Sequence, residues 1–321
     1  MRKFIRKVFK FLLFPTIIIG IIFFTIIKKI GLENLPALNF SSSYSYNEKI
    51  RFLKNKSNSP SIIAIGSSMT LNNLDSDIVV KELKDDEYLN VSSWGLRISE
   101  SYKLLKELYG IYEFNQFISV INIVDFEKGS KKIDYSFLKY YLTNNILKTI
   151  YTTIYNFDLD YYCKNIDYVN YIRKCYKDYE YLNYDDFGMV KFNRDGFNIN
   201  NERWLNNHLD KVLDNSEYLY LDSISNFCLK HDIKYYVFHS PHRDGLIQDL
   251  NLFEKKKYHL HLKKIDSIMN NKQHYVNSNR NRWNDTLFVD GIHLDKIGAK
   301  LFTQYCFEEI KTRTHNNVYK K

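Results

Sequence analysis

The stretch that most constrains the fold is residues 62–70, which read IIAIGSSMT. A short apolar run bounded by turn residues indicates a buried strand, typical of a parallel sheet. The chain breaks at Gly66 and continues in a helix-compatible segment. In α/β folds, ligands bind beyond the carboxyl ends of such strands, which is where Ser68 would stand. The Ser68 hydroxyl can then point into a crevice. Alternatively, Ser67 and Ser68 only cap the following helix.

A second polar pair lies near the other end of the chain, in residues 289–293, VDGIH. An aspartate three residues before a histidine can accept the imidazole Nδ1–H, which leaves the other ring nitrogen free to act as a base toward a serine. Alone, this pair is more often a surface turn with a solvated histidine. Together with the serine after the first strand, it forms a candidate triad of Ser68, His293 and Asp290.

The segments between these two ends alternate between strand and helix patterns. Further strands are predicted at 87–91, 117–124 and 234–239, and helices at 79–83, 99–112, 218–231, 252–269 and 294–310. This alternation predicts an α/β fold, with a mainly parallel sheet and helices on both of its faces.

The blocks around Ser68 and His293 resemble the first and last motifs of the SGNH (GDSL-like) hydrolase superfamily. More narrowly, they are similar to its membrane-anchored branch of D-alanyl transfer and polysaccharide O-acetylation proteins. The family's first block is Gly-Asp-Ser, so the resemblance makes Ser68 the nucleophile, with Ser67 in place of the usual aspartate. The last block, Asp-x-x-His, matches Asp290 and His293. The resemblance implies a three-layer α/β/α, flavodoxin-like fold and spans roughly residues 60–130 and 230–312.

The same resemblance implies an oxyanion hole. The family's second block supplies a glycine N–H, and residues 90–95, NVSSWG, resemble it, with Gly95 as a donor beside the N–H of Ser68. The third block, Gly-x-Asn-Asp, is expected after the strand at 117–124. Val124 occupies the expected position of the side-chain amide, so this donor is missing or supplied from elsewhere.

Three further residues are candidates for substrate contact. Trp94 stands beside the glycine of the second block, and His239 and His242 lie at or just after the end of the strand at 234–239. Histidines satisfied within a loop are the alternative. A metal site is not predicted, because no carboxylate or third histidine follows at ligand spacing. The four cysteines contain no Cys-x-x-Cys pair, so they do not indicate a metal site or a redox pair. We expect no cofactor.

The N-terminus predicts a membrane anchor. Residues 11–27 are an uncharged, strongly apolar run, at the short end of the about 17–25 residues that span a bilayer. Seven of the 46 Lys and Arg residues, and no acidic residue, lie in the first 29 positions. The positive-inside rule places the N-terminus in the cytoplasm and the remainder outside. A cleaved signal peptide and a buried helix are the alternatives. The remaining 39 basic and 37 acidic residues give no basic stripe for nucleic acid.

The predicted organisation is an anchor at 1–29, a tether at 30–59 with a surface helix around 47–53, an α/β domain at 60–312 and a tail at 313–321.

An insertion at about 130–215 interrupts the α/β pattern. It contains 13 of the 27 tyrosines and many asparagines, and is predicted to be mostly helical. These side chains could form a sugar-stacking cleft over the site or simply fill a helical cap. A disulfide between Cys163 and Cys175 stays open as an alternative to free thiols.

These features predict a cell-surface serine acyl esterase or acyltransferase. Water as acceptor makes it an esterase, and a sugar or polyol hydroxyl makes it a transferase. The resemblance implies O-acyl groups on an extracytoplasmic glycan or teichoic-type polymer as substrate, with a membrane-bound acyltransferase as a partner. Two alternatives stay open: a catalytically silent, glycan-binding or scaffolding membrane protein, and a membrane-held lipid esterase.

Overall fold

The computed structural model describes residues 2–56, 59–129, 133–143, 145–269 and 274–318. The chain divides into two compact units. One comprises Met1–Pro36 and Asp158–Tyr171, and the other comprises Ala37–Phe157 and Ile172–Lys321. The second unit contains the sheet and the predicted triad.

Five parallel strands form the central sheet of the second unit. They are β1 (Ile62–Ala64), β2 (Tyr88–Asn90), β3 (Gln116–Ile121), β4 (Lys234–His239) and β5 (His274–Asn277). Their order is β2-β1-β3-β4-β5, and every neighbouring pair is parallel. Because the strand order reverses between β1 and β3, a crevice for ligands is expected beyond the carboxyl ends of these two strands.

Helices account for most of the other regular structure in the described residues. They are α1 (Arg2–Ile30), α2 (Tyr44–Lys54), α3 (Ser68–Asn73), α4 (Ser76–Leu83), α5 (Ile98–Tyr109), α6 (Leu138–Leu142), α7 (Ile146–Tyr155), α8 (Leu159–Ile172), α9 (Asn201–Leu205), α10 (Asn215–Lys230), α11 (Asp244–Gln248), α12 (Leu252–Met269) and α13 (Lys296–Val318).

The sheet is covered by helices on both faces, because successive strand residues point to opposite sides. On one side, Phe117 and Tyr235 pack in a core with α5, α10 and α12. On the other, Ile118 and Tyr236 pack in a core with α4 and α13. The predicted α/β class with a parallel sheet is therefore confirmed.

Several predicted boundaries differ from the structure. The third strand ends at Ile121 rather than Val124, and a 3-10 helix, Ile123–Phe126, follows it. No sequence pattern predicted β5. The insertion is helical only in part, since residues 173–200, all described, contain neither helix nor strand.

The helix predicted for the tether surface belongs to the core of the second unit. Ile50 and Leu53 of α2 are buried with the strands. Lys49 is also fully buried, and its Nζ donates to the carbonyl oxygens of Asn90 and Gly188. The polar composition of α2 predicted a surface helix. The helix is nevertheless buried, because its charged groups are satisfied by hydrogen bonds within the protein.

The predicted anchor falls within α1. Over the described residues, no helix combines the length and hydropathy that crossing a bilayer requires. Some side chains of the predicted run 11–27, namely those of residues 19, 22–24, 26 and 27, lie outside the described part of the chain.

The junction of β1 and α3 allows no side chain at Gly66. The Thr70 hydroxyl donates to the carbonyl oxygen of Val120 and accepts from its N–H, both at 2.9 Å, and so joins α3 to β3. A Cβ added at Gly66 would lie 2.1 Å from this hydroxyl oxygen. Since Thr70 is fully buried, it has no room to move away.

We predict that Gly66→Ala destabilises the protein by about 1–3 kcal/mol through overpacking. The free energy of unfolding from denaturant titration measures this change. Gly110→Ala is the control, because Gly110 has a φ of −74° and the nearest atom to an added Cβ lies at 3.4 Å. Equal effects of the two substitutions would contradict this account of the junction.

Candidate active site

Helix α3 positions Ser68 at the carboxyl end of β1. Ser68 is the first residue of this helix, and Ser67 is its N-cap, whose hydroxyl accepts from the N–H of Met69 at 3.1 Å. The N–H of Ser68 therefore has no carbonyl partner within the helix. The cap interpretation is correct for Ser67, and it leaves the half-buried Ser68 side chain for another role.

The turn between Phe288 and Leu294 positions the predicted acid and base. These two residues form an antiparallel bridge, and the N–H of Val289 donates to the carbonyl oxygen of His293. Within the turn, Asp290 Oδ1 accepts from the N–H groups of Ile292 at 2.9 Å and His293 at 2.6 Å. One carboxylate oxygen thus fixes the backbone and leaves the other for the imidazole.

The structure brings the three predicted triad residues together. Asp290 Oδ2 lies 2.7 Å from His293 Nδ1, and His293 Nε2 lies 2.9 Å from Ser68 Oγ. When Nδ1 carries the proton, Nε2 can accept the serine proton. This geometry matches that of an activated serine nucleophile. The catalytic roles themselves stay predictions.

The Asp290 carboxyl is held in its ionised form. Burial alone would raise its pKa, but the neighbouring His293 and the hydrogen bonds from His293 and Ile292 outweigh burial, so the pKa is lowered. A buried, ionised carboxylate at Nδ1 favours the tautomer that leaves Nε2 as the proton acceptor.

A pocket of about 190 Å³ opens onto Ser68 and His293. The other residues that line it are Asn72, Trp94, Tyr179, Glu180, Phe192 and Arg203. Of the predicted substrate contacts, the structure brings Trp94 to this pocket. Tyr179, Glu180, Phe192 and Arg203 belong to the predicted insertion. The sequence signal there was an abundance of tyrosine, which did not identify these four positions.

The walls from the insertion are fixed against the turn that carries His293. The Tyr179 hydroxyl donates to the carbonyl oxygen of Val289 at 2.7 Å. The Phe192 ring meets the imidazole edge to face, with ring centres 6.2 Å apart. The guanidinium of Arg203 lies 4.4 Å from the centre of the Tyr179 ring. Residues far from the predicted motifs therefore shape the pocket.

Gly95 is the second predicted oxyanion donor, beside Ser68. Gly95 is exposed, with a φ of 62°, in a turn that few residues other than glycine would adopt. It is not among the residues that line the pocket. Its donor role stays a prediction.

The amide expected after the third strand is present, but at another position. Because β3 ends at Ile121, the residue that follows it is Asn122 and not Val124. Asn122 is buried, and its Nδ2 donates to the carbonyl oxygen of Ser240 at 3.2 Å. It does not line the pocket. Asn72, four residues after Ser68, is the carboxamide that does.

The structure does not bring His239 and His242 to the pocket. Both are buried, and burial lowers the pKa of His239 to about 4 and that of His242 to about 3. His239 Nε2 lies 3.1 Å from Nε2 of His261, and His242 Nδ1 lies 3.1 Å from the Tyr258 hydroxyl. These neutral imidazoles belong to an internal hydrogen-bond network.

Among the described residues, no group of three His, Cys, Asp or Glu side chains is arranged to hold a metal ion. The four cysteines are free thiols.

No protein-family model matches the chain, and comparison with curated proteins gives no significant match.

A second buried carboxyl lies beside the serine pair. Asp125 Oδ2 accepts from the N–H of Asn122 at 2.8 Å, and its carboxyl also hydrogen-bonds to Ser67, the residue before Ser68. Burial raises its pKa to about 7, against the opposing effect of these hydrogen bonds and of Arg97. Sequence analysis missed Asp125. It lies far from the two serines along the chain, and no sequence pattern connected it to them.

The pKa of Asp125 predicts a pH dependence of stability. An unfolded aspartate loses its proton near pH ~4, whereas folded Asp125 keeps it until about pH 7, so stability falls as the pH rises between these values. We expect Asp125→Asn to remove this fall. Its melting temperature relative to the unmutated protein should therefore rise from pH 4 to pH 8.

Thermal unfolding over this pH range tests the prediction, with Asp86→Asn, at an exposed aspartate, as the control for net charge. A difference between Asp125→Asn and the unmutated protein that stays constant with pH would contradict it.

Proposed function

We propose that the protein is a serine acyl esterase or acyltransferase of the SGNH type. The observation that carries this proposal is the continuous chain of hydrogen bonds from Asp290 through His293 to Ser68, open to a pocket. The order of the five parallel strands supports an SGNH-like, flavodoxin-like fold for the domain. Nucleophile and base stand beyond the carboxyl ends of the strands, where such folds bind their ligands.

The proposed reaction proceeds in two acyl-transfer steps. Ser68 Oγ attacks the ester carbonyl carbon while its proton passes to His293 Nε2, and Asp290 stabilises the imidazolium. Collapse of the tetrahedral intermediate breaks the ester bond, and His293 returns the proton to the departing alkoxide. Water or a second hydroxyl group then attacks the acyl-serine in the same way. The N–H groups of Ser68 and Gly95 are the proposed donors to the oxyanion.

Pocket size favours a small acyl group. Drug-sized ligands occupy pockets of about 300–1,000 Å³. This one is about 190 Å³, which suits a short acyl group better than a long hydrocarbon chain. The remainder of the substrate would then lie outside the pocket, across its aromatic rim. An acyl group attached to a glycan or teichoic-type polymer fits this arrangement better than a lipid does.

The position of Arg203 at the pocket favours a polymer that carries an anionic substituent. Two neighbouring arginines already have partners: Arg194 donates to backbone carbonyl oxygens, and Arg243 pairs with Asp285. Within the described residues, no carboxylate forms an ion pair with Arg203, whose guanidinium rests on Tyr179 at the pocket. Its donors suit a phosphate or carboxylate near the ester.

We further propose that α1 anchors the domain in a cell membrane, with the N-terminus cytoplasmic and the catalytic domain extracytoplasmic. The apolar run 11–27 and its flanking basic residues support this proposal. Phe11 and Phe14 of α1 are exposed. A membrane-bound acyltransferase that delivers the acyl group would be a suitable partner.

We predict that a fluorophosphonate probe labels the full-length protein in detergent and that Ser68→Ala abolishes the labelling. The probe phosphonylates an activated serine with loss of fluoride, so labelling reports the triad without any need for the natural substrate. Ser223→Ala, at a half-buried serine of α10 whose hydroxyl donates to the carbonyl oxygen of Leu219, is the control and should be labelled like the unmutated protein. Gel fluorescence and mass mapping of the adduct measure the result.

Absence of labelling in a folded protein would support the silent glycan-binding or scaffolding alternative. If labelling occurs, hydrolysis of acetylated glycan and of short-chain and long-chain acyl esters distinguishes the substrates. We expect short acyl groups to be preferred. A preference for long chains would instead support the lipid esterase.

A further inference from the structure

Asn73 connects the helix of the nucleophile to the turn of the base. It is the last residue of α3, and its side chain is fully buried. Its Nδ2 donates to the carbonyl oxygen of Ile292 at 3.1 Å, and its Oδ1 accepts from the N–H of Leu294 at 2.9 Å. The carboxamide thus bonds the backbone immediately before and immediately after His293.

We propose that Asn73 is a positioning residue that sets the location of His293 relative to Ser68. This inference rests on the proposed function. Ser68 and Asn73 are the first and last residues of the same short helix, which at about 1.5 Å per residue is a compact, stiff spacer. One rigid element therefore presents the nucleophile at one end and holds the turn of the base at the other.

A carboxamide is required because the two bonds to the turn have opposite polarity. The carbonyl of Ile292 needs a donor, and the N–H of Leu294 needs an acceptor. An aspartate would turn a carboxylate oxygen toward the carbonyl oxygen of Ile292, and an alanine would leave both backbone groups without this partner. Either change lets the turn shift relative to α3.

A third bond extends the same connection to the sheet. Asn73 Nδ2 also donates to Ser240 Oγ at 2.8 Å, and the N–H of Ser240 donates to the carbonyl oxygen of Ile121 at the end of β3. The carboxamide thus fixes α3 and the His293 turn to the carboxyl edge of the sheet. A shift of about 1 Å in such a site can cost about a hundredfold in rate.

Thr303 offers a matched control. Its hydroxyl accepts from the N–H of Asp75 at 2.9 Å and lies 3.4 Å from the carbonyl oxygen of Asn73, so it also secures the end of α3. Within the described residues, its hydroxyl makes no hydrogen bond to the turn at Ile292–Leu294. Thr303→Val should therefore lower stability without displacing His293.

The test measures the second-order rate of fluorophosphonate labelling against pH for the full-length protein and for Asn73→Asp, Asn73→Ala and Thr303→Val. We expect labelling of both Asn73 variants to be slower by about tenfold to about a hundredfold. The pH dependence of the labelling rate should also weaken in these variants, because a displaced imidazole contributes less as a general base. Thr303→Val should keep the rate and the pH profile.

A second comparison uses His293→Ala. If Asn73 acts through His293, adding Asn73→Asp to His293→Ala should not slow labelling further. A labelling rate and a pH profile equal to those of the unmutated protein, measured in folded Asn73 variants, would overturn the inference while leaving the proposed function intact. So would failure of both Asn73 variants to fold while Thr303→Val folds, because Asn73 would then be a structural residue. Labelling that survives Ser68→Ala would instead remove the proposed function itself.

Discussion

The site depends on a single buried charge. The Asp290 carboxylate is buried, and an ionised group in such a place is costly unless hydrogen bonds compensate it. Its compensation comes from the N–H groups of Ile292 and His293 and from the imidazole itself. The same bonds define the turn and orient the ring. The conformation that makes the charge tolerable is therefore also the one that directs Nε2 at Ser68.

Sheet topology explains how two distant parts of the chain meet. Ser68 and His293 are 225 residues apart in sequence. β1 lies inside the sheet next to the point where the strand order reverses, so α3 starts in the crevice between β1 and β3. The turn before α13 reaches the same edge, where Asn73 binds it. The insertion then supplies half of the residues that line the pocket, and two of them, Tyr179 and Phe192, contact the turn and the ring of His293.

Local patterns in the sequence predicted the features that local physics determines. The apolar run at 62–65, the strand at 234–239 and the helix at 252–269 correspond to β1, β4 and α12, because burial and periodicity specify them directly. The contact of Ser68 with His293 was predicted by pairing the serine after the first strand with the Asp-x-x-His turn near the other end of the chain. By contrast, β5 is a short strand of His, Tyr, Val and Asn, which lacks an apolar run.

The remaining differences arise from tertiary contacts. The burial of Lys49 depends on carbonyl groups 41 and 139 residues away, and the position of Asp125 beside Ser67 depends on the pairing of β1 with β3. The pocket walls at Tyr179 and Phe192 come from a segment without regular structure, which carries no periodic signal. His239 and His242 follow a strand that ends at the correct edge, yet their rings turn into the core.

The central claim is that Ser68, His293 and Asp290 act as one unit. A double-mutant cycle on the rate of fluorophosphonate inactivation tests it most directly, using the unmutated protein, His293→Ala, Asp290→Asn and the variant with both changes. Members of a catalytic unit are strongly non-additive, so the doubly substituted protein should react about as slowly as His293→Ala alone. Independent losses that multiply in the double variant would contradict the account.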